Sequence, residues 1–272
     1  MNMLIAWIII TIVSILCFAI CKITLKHNTI NRETKLLNPY LNYNQLAKEF
    51  QQKKCVVIKN LLREDVANEL YTYFASKMPE KMWYTSFAIP SISDKVEFLQ
   101  QIPENQSKIQ KLFAAANSDF IDGNFSYIFD RTIEHDESCP CSVCKHLAFI
   151  RDPEIALLVK LITGLNITEY GEIFASRYTP GQFLSTHNDQ VKGTLSFVFG
   201  LSKNWRPEYG GNLFFLEDDE TTIKKVVLSS FNTMTLTLMN SDEIHGVPHF
   251  VSHVTDGVVQ QRLSITGWIN CK

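Results

Sequence analysis

Arg262-Leu-Ser-Ile-Thr-Gly-Trp-Ile269 alternates polar and apolar residues, and Thr233-Met-Thr-Leu-Thr-Leu-Met239 does the same. A period of two belongs to a strand with unlike faces. Working outward, further strand-like runs fall at 172–178, 194–201, 212–217, 225–228 and 249–254, divided by Gly, Pro, Asn and Asp clusters. Short strands with turn chemistry between them predict an all-β sandwich or barrel after Gly171.

Upstream the period is nearer 3.6. A short helix is expected at 43–51 and a strand at 55–58. A helix follows over 63–77, with Val66, Leu70, Tyr73 and Phe74 on one face. The stretch 78–150 is less regular, with a helix near 107–116 and strand-like material at 125–129. Asp152-Pro153 then opens a helix as N-cap and first-turn proline, and Gly164 closes it. Helices first and a closed sheet later predict an α+β fold, with helices packed on a jelly roll.

The chain has 272 residues, a net charge of −2 and 46% hydrophobic residues. That length can bury a full core. The charge argues against a nucleic-acid binder, which needs a basic excess. Residues 3–21, MLIAWIIITIVSILCFAIC, carry no charge, and about 20 apolar residues span a bilayer core as a helix. A cleaved signal peptide would have a basic start and a small-residue cleavage site, and a soluble helix would have a polar face. The segment has neither, so it reads as a transmembrane anchor. Lys22, Lys26, Arg32 and Lys35 follow it, which predicts a single-pass membrane protein with its large carboxy-terminal part in the cytoplasm. The expected divisions are an anchor at 3–21, a linker and short helix at 22–53, a helical support region at 54–170 and the β core at 171–272.

Seven cysteines with no regular framework suit a reducing compartment. Three of them form Cys139-Pro-Cys141-Ser-Val-Cys144-Lys-His146. Cys141 and Cys144 have knuckle spacing, and with Cys139 and His146 they offer four zinc ligands. Reduced loop thiols are the other reading of the same residues.

The strongest chemistry lies in the β half. Strand-like residues lead from Arg177-Tyr-Thr-Pro-Gly-Gln-Phe-Leu-Ser-Thr to His187-Asn-Asp189, and His245, His249 and His253 follow about sixty residues later. Two histidines and a carboxylate with open positions form the facial triad of non-haem Fe(II) oxygenases. Such a triad holds the metal on one face and leaves room for a chelating cosubstrate and O2.

The sequence resembles the 2-oxoglutarate- and Fe(II)-dependent dioxygenases of the prolyl-hydroxylase-like branch. The likeness is carried, in order, by RYTPGQFLSTHND, WRPEYGGNLFF, PHFVSHVT and RLSITGW, and it covers roughly 172–270. It implies a double-stranded β-helix with iron in its open mouth. His187 and Asp189 would be the first two ligands. His249, in His249-Phe-Val-Ser-His253-Val254 with Gly257 at the expected offset, would be the third, and His245 is the alternative. Arg262 would pair with the distal carboxylate of 2-oxoglutarate, since a guanidinium grips a carboxylate with two parallel bonds. Ser264 shares its strand face. Tyr178 stands near the implied cosubstrate site, and Arg206 is a candidate substrate contact. Fe(II), 2-oxoglutarate and O2 are the implied cofactors, with ascorbate a candidate reductant. The implied reaction is hydroxylation of an unactivated C–H with release of succinate and CO2. An alanine or glycine at position 189 would suggest halogenation instead. The partner is a protein or peptide, or a small molecule such as a free amino acid. A non-catalytic binding module at a membrane is the reading from a different class. There is no P-loop, dinucleotide fingerprint or nucleophile elbow.

Overall fold

The period-two runs become strands of one curled antiparallel sheet, in a computed structural model that describes residues 35–133, 135 and 139–272. In chain order the strands are β1 (Cys55–Lys59), β2 (Tyr84–Ile89), β3 (Ser93–Gln100), β4 (Tyr127–Arg131), β5 (Ile167–Tyr178) and β6 (Phe183–His187). They continue with β7 (Leu195–Gly200), β8 (Leu213–Leu216), β9 (Ile223–Val227), β10 (Thr233–Leu238), β11 (His249–Val251) and β12 (Arg262–Cys271). β5 pairs with β12, β6 with β11, β7 with β10 and β8 with β9, every pair antiparallel. This nesting of ends onto ends is how a double-stranded ribbon wraps into a jelly roll. β1 extends the roll beside β10, and β4 bridges β5 and β6. The β2–β3 hairpin attaches through β2 to β4.

β12 shows why the alternation is so clean. Leu263, Ile265 and Ile269 lie in one hydrophobic cluster with Ile155, Leu158, Val159 and Ile162 of the helix Pro153–Thr163. The other face, Arg262, Ser264, Thr266 and Trp268, turns toward the interior of the roll. Each fully buried Ile or Leu at the helix–sheet contact contributes about 1.5–3 kcal/mol. The helix begins where the sequence indicates: the Asp152 side chain accepts from the Glu154 N–H at 2.8 Å, and Gly164 ends it with φ +80°.

Several expectations change. The helix expected over 63–77 is α-helical over Glu64–Thr72 and then widens to a π turn over Tyr73–Lys77. The consecutive rings of Tyr73 and Phe74 are both buried there. Residues 54–170 supply four strands as well as helices. The β2–β3 hairpin escapes the periodicity because β3 leaves Val96 and Phe98 exposed. Leu36–Lys272 form one compact unit.

Among the described residues no helix is long and apolar enough to cross a membrane. The longest, Gln106–Ile121, has 16 residues and carries Lys108, Lys111 and Asp119. It spans about 24 Å against a hydrocarbon core of about 30 Å. The expected single-pass protein with a cytoplasmic catalytic domain is corrected on this finding. The segment 3–21 on which that expectation rested lies outside the described residues.

Candidate active site

β6 ends on His187 and β11 begins on His249, and the ladder sets these two residues directly opposite each other. Asp189 lies two residues beyond β6. Its Oδ1 is 3.7 Å from His187 Nε2 and its Oδ2 is 3.4 Å from His249 Nε2. The three ligand atoms lie within 4.8 Å of one another. About sixty residues of sequence separation close to one ladder pair because the jelly roll folds β11 back onto β6.

Each imidazole is held in one tautomer. His187 Nδ1 donates to the Ser185 carbonyl at 3.0 Å, and His249 Nδ1 donates to the Val247 carbonyl at 2.7 Å. Because a carbonyl only accepts, Nδ1 carries a proton, and Nε2 is the nitrogen left on the side of Asp189 for a metal. Burial, and then the neighbouring His249, push His187 down to about 4, so it stays neutral. Burial works against the charge of Asp189, but the neighbouring His249 and His187 and the Trp268 indole together hold its carboxyl below the usual range. Trp268 Nε1 donates to Asp189 Oδ2 at 3.1 Å. Two imidazole nitrogens and one carboxylate oxygen converging from one side suit a divalent metal of the iron class.

The triad opens onto a cavity of about 770 Å³ inside the roll, whose wall includes Tyr178, Thr235, Thr237 and Arg262. Arg262 is 3% exposed. Its Nη1 donates to Ser264 Oγ at 3.1 Å, and its guanidinium lies 4.7 Å from the Tyr178 ring centre. Its Nε has no partner, and no acidic group pairs with it among the described residues. Burial pushes the guanidinium below its ordinary value, with the Tyr178 hydroxyl acting in the opposite sense. A buried cation without an anion is costly, and here it faces a cavity. The approach of its side chain depends on Gly211: a Cβ there would come within 2.9 Å of Arg262 Cδ, and φ is +62°.

Ser264 bonds both Arg262 and Ser176 Oγ, the latter at 2.8 Å, and is not part of the cavity wall. Tyr178 stacks on Phe129 with ring centres 4.9 Å apart. Burial drives its hydroxyl strongly upward, keeping it neutral. Arg177 points through the opposite face. Its Nε donates to buried Asp130 at 2.9 Å and its terminal nitrogens pair with Glu80. Asp130 also accepts from Thr85, Gln101 and Gln182. His245 is exposed in a turn and His253 stacks on Phe183 at 4.0 Å, so neither joins the triad. Arg206 pairs with Glu208 at the surface, away from the cavity wall.

The sequence reading passed over Trp268, although it belongs to the inward face that already held Arg262 and Ser264. It also passed over the Arg131–Glu172 ion pair on the cavity wall, which no local pattern signals. Of the expected thiol cluster, Cys139, Cys141 and Cys144 do come together, but His135 joins them. His146 does not, because the helix Ser142–Leu147 turns it away from Cys144. Its Nδ1 meets the Ser142 carbonyl and its ring stacks on Tyr73.

Residues 173–270 match the family described as the 2OG-Fe(II) oxygenase superfamily. No curated protein matches the chain. Among solved structures, a Pseudomonas putida prolyl-4-hydroxylase has a TM-score of 0.50 at 16% identity, covering 87% of this chain and 95% of its own. A Trichoplax adhaerens prolyl hydroxylase, solved in complex with a hypoxia inducible factor oxygen degradation domain peptide fragment, has a TM-score of 0.54 at 15% identity, covering 84% of this chain and 88% of its own. A Burkholderia pseudomallei oxidoreductase of the 2OG-Fe(II) oxygenase family has a TM-score of 0.51 at 13% identity, covering 84% and 90%. At these identities the likeness is one of fold.

Proposed function

Taking as premise that the chain is an oxygenase of the 2OG-Fe(II) superfamily through residues 173–270, we propose that it hydroxylates a peptidyl proline. The observation that carries the reading is the mouth of the cavity. Val96 and Phe98 of the β2–β3 hairpin and Phe125 before β4 line it, yet remain 53%, 46% and 44% exposed. Apolar side chains left in water around a polar, metal-ligating floor suit a substrate that brings its own apolar ring. The fold shared with two prolyl hydroxylases, one of them holding a peptide, supports the same reading.

His187, Asp189 and His249 would hold Fe(II) through Nε2, a carboxylate oxygen and Nε2, and Arg262 would clamp the distal carboxylate of 2-oxoglutarate. The residues fit these groups: the three ligand atoms converge, and the buried guanidinium lacks the anion that a dicarboxylate supplies. Together the metal and cosubstrate supply the oxidising power that converts an unactivated C–H to an alcohol, with O2 consumed and succinate and CO2 released. The protein binds, orients and excludes water. The Ser185 and Val247 carbonyls fix the imidazoles, Trp268 steadies Asp189, and Ser264 and Tyr178 fix the guanidinium plane.

To test this, the protein is incubated anaerobically with Fe(II) and 2-oxoglutarate, O2 is admitted, and succinate is followed with proline-containing peptides and with free proline. Peptide-dependent succinate, with the mass gain of one oxygen on the peptide, is the expected result. Turnover with free proline alone would replace the peptidyl substrate by a free amino acid. Absence of any succinate, coupled or uncoupled, would remove the reading.

A further inference from the structure

A second group of metal-binding side chains stands apart from the triad. His135, Cys139, Cys141 and Cys144 present one ligand atom each, all within 4.8 Å of one another. His135 Nδ1 is 3.3 Å from Cys141 Sγ, 3.4 Å from Cys144 Sγ and 3.5 Å from Cys139 Sγ, and the Cys141 and Cys144 sulfurs are 3.3 Å apart. In a tetrahedron with Zn–S of about 2.3 Å and Zn–N of about 2.05 Å, the ligand atoms lie roughly 3.5–3.8 Å apart. The cluster is within a few tenths of an ångström of that size.

Hydrogen bonding alone does not account for it. A neutral imidazole nitrogen carries either one proton or one lone pair, so Nδ1 satisfies one sulfur at most. Three sulfurs turned onto one nitrogen are all satisfied by a cation at their centre. The backbone is arranged for the same purpose. Cys141 caps the helix Ser142–Leu147 with its sulfur accepting from the Cys144 N–H at 3.4 Å, and Cys144 follows one helical turn later. That helix is seated on the core through Val143 and Leu147, 1% and 5% exposed.

We propose that His135, Cys139, Cys141 and Cys144 form a structural zinc site. Thiolate-rich donors favour zinc over the metal of the oxygenase site, and four protein ligands leave no position for chemistry. The site staples the segment that leaves β4, just beyond Arg131 on the cavity wall, to the helix Ser142–Leu147. The chain thus holds two metals sorted by ligand softness.

The test uses the full chain, purified under reducing conditions without chelator and reconstituted with zinc. Metal content is measured in the His187→Ala background, which removes the ambiguity of zinc in the triad. Zinc per chain should be near one there, stay unchanged on adding His146→Ala, and fall to near zero on adding Cys144→Ser or His135→Gln. Cobalt loading of the unsubstituted chain gives a second readout that needs no variant to fold: thiolate ligation brings sulfur-to-cobalt charge transfer and intense tetrahedral bands. The proposal is overturned if the His187→Ala chain holds no zinc and cobalt gives no thiolate band, if zinc survives Cys144→Ser, or if His146→Ala rather than His135→Gln removes it.

Discussion

Replacing Arg262 by Met should have effects of opposite sign on the protein alone and on cosubstrate binding. Alone, the guanidinium is 3% exposed, has one hydrogen bond to Ser264 and an unpartnered Nε, and meets no carboxylate among the described residues. A buried ion without its partner costs several kcal/mol, and an apolar side chain of similar length relieves that cost. The metal-free Arg262→Met protein should therefore unfold at the same denaturant concentration as the parent or a higher one. Its packing against Tyr178 is kept by the methionine thioether. With 2-oxoglutarate the sign reverses. Removing one member of a buried, hydrogen-bonded charge pair costs about 2–5 kcal/mol, or roughly 30- to several-thousand-fold in Kd. Calorimetric titration of 2-oxoglutarate into Mn(II)-loaded protein, in which turnover is blocked, measures this directly. The same titration with a monocarboxylate lacking the distal group is the control, and there the two proteins should differ little. Equal 2-oxoglutarate affinity in parent and variant would refute the assignment of Arg262. So would a metal-free variant destabilised by several kcal/mol, because the guanidinium would then be a structural ion rather than a waiting receptor.

Trp268→Phe removes the indole hydrogen bond to Asp189 and should weaken Fe(II) about 10- to 100-fold, as loss of an outer-shell partner does; equilibrium metal titration measures it, with the fold unchanged by circular dichroism. Asp130→Ala leaves Arg177 paired only with Glu80 and takes away the buried acceptor shared by Thr85, Gln101 and Gln182, and should destabilise by about 3–5 kcal/mol in urea unfolding, whereas the exposed pair Arg206–Glu208 should be near neutral when broken. His253 is held below its ordinary 6.5 by burial against Phe183 and Phe120. The folded state thus disfavours its proton, and the stability it contributes is fully present above that value and lost as pH falls below it. The difference in unfolding free energy between the parent and His253→Phe should shift in favour of the variant from about pH 8 to about pH 5, and a pH-independent difference would count against this.

How far the sequence reached follows from which forces are local. Alternation in 262–269 and 233–239 was legible because those strands are buried on both faces by unlike surroundings, helix on one side and polar cavity on the other. The cap at Asp152 and the stop at Gly164 were legible because capping is a contact between near neighbours. His187, Asp189 and Arg262 could be picked out from their chemistry and order. What alternation does not carry is register across the roll. Only the β6–β11 ladder sets His249 opposite His187 and leaves His245 in an exposed turn. Nor does the sequence show that His135 rather than His146 completes the thiol cluster, because the helix Ser142–Leu147 turns His146 onto Tyr73. Side-chain type and strand period are properties of neighbouring residues, and the sequence by itself determined them. Pairing between distant segments depends on how the whole ribbon closes, and only the tertiary structure decided it.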